Sequence, residues 1–190
     1  MQNINDVRKK VAALQKMNAS YVKQIKSLIS DMDVSSSIPF ISYFTYSLNI
    51  SHEPERENFC IGSFHIHNLG NKPLVNPYIC IKIDSESPFD FSGKYFYKDS
   101  KQKVRLNQAW ERFNDPKDKH EFWLKPNEKH TLEPSETLTF SNFQVKWIPN
   151  SSYIGRINGF LYGDKINEGI NALNQISING NMKAGGDGDE

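Results

Sequence analysis

Ile66–Leu74 reads IHNLGNKPL, a polar turn centred on Gly70 and set between two apolar alternating runs. Before it, FCIGSFHIH places Cys60, Phe64 and Ile66 on one side and Ile61, Ser63, His65 and His67 on the other. After it, beyond VNP, comes YICIKI. A period of two belongs to a half-buried strand, and two such runs joined by a turn containing Asn, Gly and Pro predict a hairpin. Within the turn Gly70 is expected to supply a positive φ, and Asn68 to bond its own backbone.

The same period recurs along the chain. FISYFTYSLNI sets Phe40, Phe44, Tyr46, Leu48 and Ile50 on one face, and FDFSGKYFY, HEFWL, TLTFSNFQVKW and YIGRINGFLYG are further strand candidates. Short strands with turn signals and little helix between them predict an antiparallel β-sandwich of roughly seven strands or more. DSKQKVRLNQAWERFNDPKDKHE interrupts the pattern as a polar insertion, expected as a long loop or a short helix around Val104 to Phe113.

The first 33 residues follow another rule. Apolar positions step by three and four through Ile4, Val7, Val11, Leu14, Asn18, Tyr21, Ile25, Leu28 and Met32, with Asn18 the one polar member. This is the seam of a coiled coil, with Ile4, Val11, Asn18, Ile25 and Met32 at a, and Val7, Leu14, Tyr21 and Leu28 at d. β-Branched residues at a favour two parallel strands, and a lone Asn at a fixes register and strand number. Val22 and Ile29 at e and Met17 at g widen the stripe, which suits three or four strands, or packing on the chain's own domain. The run ends in DMDVSSSIP, a linker sequence.

The expected organisation is therefore a coiled-coil helix over 1–33, a linker over 34–39, a β-sandwich over 40–179 with an insertion at about 98–120, and a disordered tail over 180–190. The tail, NMKAGGDGDE, offers almost nothing apolar to bury. Lys+Arg 23 against Asp+Glu 22 leaves no charge excess to steer the chain to a polyanion, so nucleic acid is not an expected partner. No signal-peptide h-region follows Arg8–Lys10, and no apolar run approaches the roughly 20 residues that span a bilayer; the default expectation is a cytoplasmic protein without membrane insertion. The only cysteines, Cys60 and Cys80, fall in strand-like runs and are expected as free buried thiols.

Three segments together carry a family resemblance. Asn68, Gly70 and Asn71 at the end of a strand, followed by a Pro-containing turn, resemble the first hairpin of bacterial immunoglobulin-like domains of the CARDB type. KPNEKHTLEPSETLTF is similar to a second segment of those domains, with Leu132, Pro134, Glu136, Leu138 and Phe140 in register and Ser135 where the family has Gly. YGDKINEGINALNQISI resembles their closing segment through Asp164, Glu168, Asn171, Asn174, Ile176 and Ile178. The resemblance spans about residues 59–178 and implies an immunoglobulin-like sandwich of the kind that mostly serves adhesion, spacing or assembly.

Reactive chemistry is sparse. His65 and His67 share a strand face at a spacing that can hold one metal ion, yet His52, His120 and His130 are too scattered to supply the further ligands a zinc site needs. The two are therefore expected as solvent-face histidines. Asp84, Glu86 and Asp90 carry oxygens for calcium without the ligand spacing of a dedicated loop. Trp110, inside the insertion, is the candidate ligand-binding residue, expected to be the most exposed of three tryptophans, whereas the phase of Phe143, Val145 and Trp147 predicts a buried Trp147. No cofactor is called for, and no catalytic constellation can be assembled from the pattern. The expectation is a non-enzymatic, homo-oligomeric structural or interaction protein, dimeric or trimeric through its helix, presenting sandwich heads to an unknown protein partner. A phage-type or spore-type particle would suit it. The alternatives are a carbohydrate- or metal-dependent binding module and a cytoplasmic adaptor.

Overall fold

The computed structural model describes residues 4–31, 39–51, 53, 55–97, 109–149, 151–164 and 166–181, with helix side chains described over 8–24. Met32, residues 34–38 of the expected linker, 98–108 of the insertion and 182–190 of the tail lie outside the described residues. The chain divides into two compact units, Met1–Ile38 and Pro39–Glu190.

The first unit holds helix α1, Ile4–Asp31. Neither glycine nor proline interrupts it, and Lys, Gln, Leu and Ala, all good helix formers, supply much of its interior. The described members of the apolar stripe stand in water: Val11 is 46% exposed and Leu14 62%, with Met17, Tyr21 and Val22 between them.

The second unit is built of strands β1 (Phe40–Asn49), β2 (Asn58–Asn68), β3 (Leu74–Val75), β4 (Tyr78–Ile83), β5 (Asp90–Ser92), β6 (Tyr95–Tyr97) and β7 (Trp110–Arg112). They are followed by β8 (Glu121–Pro126), β9 (Thr131–Leu132), β10 (Thr137–Trp147), β11 (Tyr153–Gly163), β12 (Ile166–Asn171) and β13 (Ile176–Gly180). One sheet runs β1-β2-β10-β5; the other runs β12-β11-β4-β8-β7-β6, with β13 on the same edge of β11 as β12. β3 and β9 form a separate ribbon. Aromatic side chains from both sheets meet between them, as in Phe91 against Phe122 (4.4 Å between ring centroids) and Trp110 against Phe140 (5.5 Å), so the unit is a β-sandwich.

One pair departs from the expected antiparallel plan. β6 and β7 run parallel, with Tyr95 opposite Trp110 and Tyr97 opposite Arg112, so the sheet is mixed. The intervening residues 98–109 supply about the dozen positions that a parallel crossover requires. Within the insertion, expected as a long loop or a short helix around Val104 to Phe113, Trp110–Arg112 is thus strand.

The core depends on places where backbone lacks a side chain. A Cβ on Gly159 would strike the rings of Phe64 and Phe44, and one on Gly62 would strike the ring of Phe143. β10 reaches this layer by a bulge between Phe140 and Phe143, where Asn142 takes a φ of 57°. The extra residue resets the phase, so Leu138 and Phe140 on one side of it, and Phe143, Val145 and Trp147 on the other, all point inward.

The segment IHNLGNKPL does not close a hairpin, contrary to expectation: β2 pairs with β1 and β10 while β4 pairs with β11 and β8, so the chain crosses here from one sheet to the other. Gly70 is not among the residues of positive φ. Its requirement is space, since a Cβ there would come within 2.9 Å of Pro39 Cβ, while its N–H donates to the Pro39 carbonyl at 2.9 Å. Asn68 is fully buried: its Nδ2 donates to the carbonyls of Lys72 and Leu132, and its Oδ1 accepts from Gly70 N–H at 3.0 Å. A left-handed backbone is found instead at Ser135, with φ 65°, in the turn where the Ser135 N–H returns to the Asn68 carbonyl at 2.9 Å.

A left-handed conformation costs an L-residue about 1–2 kcal/mol, partly offset by the larger unfolded-state entropy of glycine. Ser135→Gly is therefore expected to stabilise the sandwich by about 0.5–1 kcal/mol. Thermal melts should show the variant unfolding a few degrees higher; a lower melting point would mean that the seryl side chain contributes more than its backbone costs.

Candidate functional site

The outer face of the larger sheet gathers aromatic side chains by simple alternation. In β8, Phe122 and Leu124 point inward, which turns Glu121, Trp123 and Lys125 outward. In β4 the outward set is Tyr78, Cys80 and Lys82, and Tyr162 on β11 stands opposite Tyr78. Cys80 lies opposite both Trp123 and Phe160 and is covered by its neighbours, 3% exposed.

These positions bring four rings together. Tyr78 and Tyr162 stack at 5.1 Å and 8° between planes; Trp123 lies 5.1 Å from Tyr162, and Phe113 lies 5.8 Å from Tyr78 and 6.2 Å from Trp123. The Trp123 Nε1–H donates to Glu121 Oε2 at 3.0 Å, and Lys82 Nζ donates to Glu121 Oε1 at 2.9 Å. These bonds hold the Glu121 carboxyl below its usual range and raise the Lys82 ammonium. Burial raises the Tyr162 phenol, with Cys80 and Tyr78 adding to the effect.

Beside the rings lies a cleft of about 580 Å³, lined by Asn76, Tyr78, Glu111, Phe113, Lys129 and His130 among others. Its rim is polar. The Asn76 amide reaches both Asp164 carboxylate oxygens at 3.2–3.3 Å, and Lys125 Nζ lies 3.3 Å from Glu111 Oε1. That last pair is near enough for charge attraction, but it is out of line for a hydrogen bond, so Glu111 Oε1 keeps no hydrogen-bond partner among the described residues. Aromatic edges, hydroxyls and a few charges in one concavity are the equipment of recognition.

Trp110 is not part of this surface, contrary to expectation. Lying between β6 and β8, the middle strand β7 turns Trp110 and Arg112 into the sandwich and only Glu111 outward, leaving Trp110 2% exposed. Arg112 shares that interior, with its guanidinium carbon 4.3 Å from the Phe122 ring centroid and 5.6 Å from that of Tyr97. It donates to Asn114 Oδ1, to the Tyr97 hydroxyl, and to the carbonyls of Asp115, Asp118 and Glu121. A buried cation satisfied by carbonyls and ring faces fastens the 113–121 loop to the sheet. Trp123 is the tryptophan that reaches the surface cluster. Its signal was present in HEFWL, where it alternates with Phe122 and Leu124.

His65 and His67 lie on the opposite side of the sandwich, on the outer face of the smaller sheet, each facing threonines. His65 Nε2 lies 2.8 Å from Thr45 Oγ1 and Nδ1 lies 3.1 Å from Thr139 Oγ1; the ring stacks on Tyr43 at 5.0 Å. His67 Nδ1 lies 2.7 Å from Thr137 Oγ1. Among the described residues, no three His, Cys, Asp or Glu side chains converge to hold a metal, Asp84, Glu86 and Asp90 included. Cys60 and Cys80 are free and buried, and desolvation pushes their thiols up to about 11 and about 12. No described helix is long and apolar enough to cross a membrane. The seam positions Val11, Leu14, Asn18 and Tyr21 are all exposed on α1; Ile4, Val7, Ile25 and Leu28 lie on its backbone span, and Met32 falls outside the described residues.

No family model matches the chain, and no curated protein does. Among solved structures it is similar to a cohesin module from a family 33 glycoside hydrolase of Clostridium perfringens, with 11% identity over 73% of this chain and 94% of that one, and a TM-score of 0.38. It is also similar to a FixG-related protein from Vibrio parahaemolyticus, with 13% identity over 74% and 97% and a TM-score of 0.29. A third match is a GH20 exo β-N-acetylglucosaminidase from Vibrio harveyi, with 10% identity, a TM-score of 0.30, and 76% of this chain set against 18% of the enzyme. At these TM-scores and identities the likeness carries no argument about fold, role or activity.

The His65 environment has a pH consequence. Burial lowers its pKa from the ordinary 6.5, so between the lowered value and 6.5 the unfolded chain binds more protons than the folded one. Its contribution to stability is present above pH 6.5 and is lost as pH falls through the lowered value. Melting temperatures measured between pH 7.5 and 5 should fall less steeply for His65→Gln than for the parent chain. Parallel slopes would show that His65 titrates alike in both states.

Proposed function

We propose that this chain is a non-enzymatic structural or interaction protein. Its N-terminal helix self-associates as a coiled coil of two or three strands and displays immunoglobulin-like sandwich heads of the CARDB type. The observation that carries the reading is the exposed apolar seam of α1, with Val11, Leu14 and Tyr21 each about half or more in water. A stripe of that spacing is stabilised when copies bury it against one another, and Asn18 would set their register. Gathering several heads multiplies weak contacts through effective concentration, which suits assembly into a larger particle of phage or spore type. The surface that each head offers a protein partner is the Tyr78, Phe113, Trp123 and Tyr162 cluster, since Tyr and Trp are enriched where interfaces bury area at low entropic cost.

Light scattering on the intact chain and on a form lacking residues 1–37 tests the core of this reading. The intact chain is expected to be a dimer or trimer and the shortened one a monomer; two monomers would end it. Asn18→Leu should raise the helix melting temperature while broadening the distribution of oligomer sizes, as removal of a polar a residue relaxes strand number.

A second reading is favoured by the cleft beside Phe113, where an aromatic wall adjoins Glu111, Lys129 and His130. A neutral sugar ring meets such surroundings well. Against it, Tyr78 and Tyr162 turn their faces to each other rather than outward. Tryptophan fluorescence titrated with a panel of soluble oligosaccharides should stay flat under the interaction reading. A saturable change abolished by Trp123→Ala would favour the sugar site instead.

A further inference from the structure

Strand β1 is an edge strand, and only part of its edge is closed. Asn174 Oδ1 accepts the Phe44 N–H at 2.7 Å and Asn174 Nδ2 donates to the Phe44 carbonyl at 3.0 Å, so one side-chain amide substitutes for a neighbouring strand. Leu173 N–H donates to the Ser42 carbonyl at 2.7 Å. In an antiparallel pair, the N–H and C=O of alternate residues point away from the partner strand. The groups of Tyr46 and Leu48 therefore point the same way as those of Phe44, and among the described residues nothing reaches them.

The side chains beyond Phe44 repeat the pattern. Tyr46 and Leu48 stand opposite Gly62 and Cys60 on the core face, yet with Ile50 they are 39–43% exposed, whereas Cys60 on the neighbouring strand is fully buried. Edge strands of monomeric proteins are usually protected by Lys, Pro or a bulge. Phe40–Ile50 contains no charged residue and no proline, and its pairing with β2 runs without a register shift.

We infer that this half-edge pairs with the same half-edge of a second copy, antiparallel, about a two-fold axis passing between the two Ser47 residues. In that register Tyr46 faces Leu48 of the second copy and the reverse, so the outward groups of both residues make four backbone hydrogen bonds across the axis. A second copy fits better than an unrelated strand for two reasons. An uncharged strand set against itself opposes no like charges, and the contact is self-complementary as a two-fold interface must be. Moreover, only residues 32–39 separate α1 from β1, a tether of at most about 29 Å, so copies held by the helix meet at high effective concentration. The contact involves a few half-exposed side chains and falls short of the roughly 800 Å² per partner of a self-sufficient interface. It thus rests on the helix-driven association proposed above.

Cross-linking in the full-length chain tests it. Ser47→Cys, facing its own copy at a non-hydrogen-bonded pair, is within disulfide range and should form an intermolecular disulfide in most chains under mild oxidation. Thr45→Cys, opposite Asn49 of the second copy, should cross-link at least tenfold less. The buried thiols of Cys60 and Cys80, raised to about 11 and about 12, keep the parent background low. Adding Leu48→Lys should cut the Ser47→Cys yield at least tenfold without changing oligomer size. If light scattering shows an oligomer and Ser47→Cys stays unlinked, or links no better than Thr45→Cys, head pairing is wrong and helix association stands. A monomeric intact chain that fails to cross-link overturns both.

Discussion

The sandwich is held at its spacing by rings seated on bare backbone. Phe64 and Phe44 occupy the room that a side chain at Gly159 would take, and Phe143 occupies that at Gly62. Large aromatics from one sheet can then approach the backbone of the other, or of their own, without a gap, which is how a domain of modest apolar content fills its centre. The bulge at Asn142 follows from the same demand, because without it Phe140 and Phe143 would point to opposite faces. The cover fails at the sheet edge: from Thr45 to Asn49, half of β1, the side chains stand exposed, although Gly62 and Cys60 opposite Tyr46 and Leu48 on β2 are buried.

Much of this plan could be read from alternation alone. The two strands around IHNLGNKPL, the inward Trp147 and the buried Cys60, Phe64 and Ile66 all follow from period two. Two kinds of information could not. Alternation assigns a residue to a face without saying how far the cover over that face reaches, so Phe40 through Ile50 read as one buried stripe although only Phe40, Ser42 and Phe44 are covered. Turn chemistry is the other: glycine at position 70 suggests a left-handed backbone, whereas its neighbour in space, Pro39, explains it, and positive φ falls instead at residues such as Asn76, Ser135 and Asn142.

The candidate site shows the same division. That Trp123 faces opposite to Phe122 was available from HEFWL, but its meeting with Tyr78, Phe113 and Tyr162 depends on the strand order β11-β4-β8-β7, which no local pattern encodes. Trp110 reads as exposed because the polarity around it resembles a loop, yet it is buried. The polar neighbour that matters is Arg112, and its charge is accommodated inside by Phe122, Tyr97 and a set of backbone carbonyls. Composition counts an arginine as surface. Only the fold shows that it can close a loop over the core.

Two of the exposed apolar features among the described residues have a common logic. A seam of α1 side chains and the free edge of β1 are each incomplete in one copy, and they are separated by the short segment 32–39. A helix pair is non-specific about what it carries, while an open strand edge is specific in register but too small to act alone. In the assembly proposed above, coupling the two would let association energy come from the helix and orientation come from the strand. Such an assembly would leave the aromatic face of each head, which belongs to the other sheet, free for a partner of another kind.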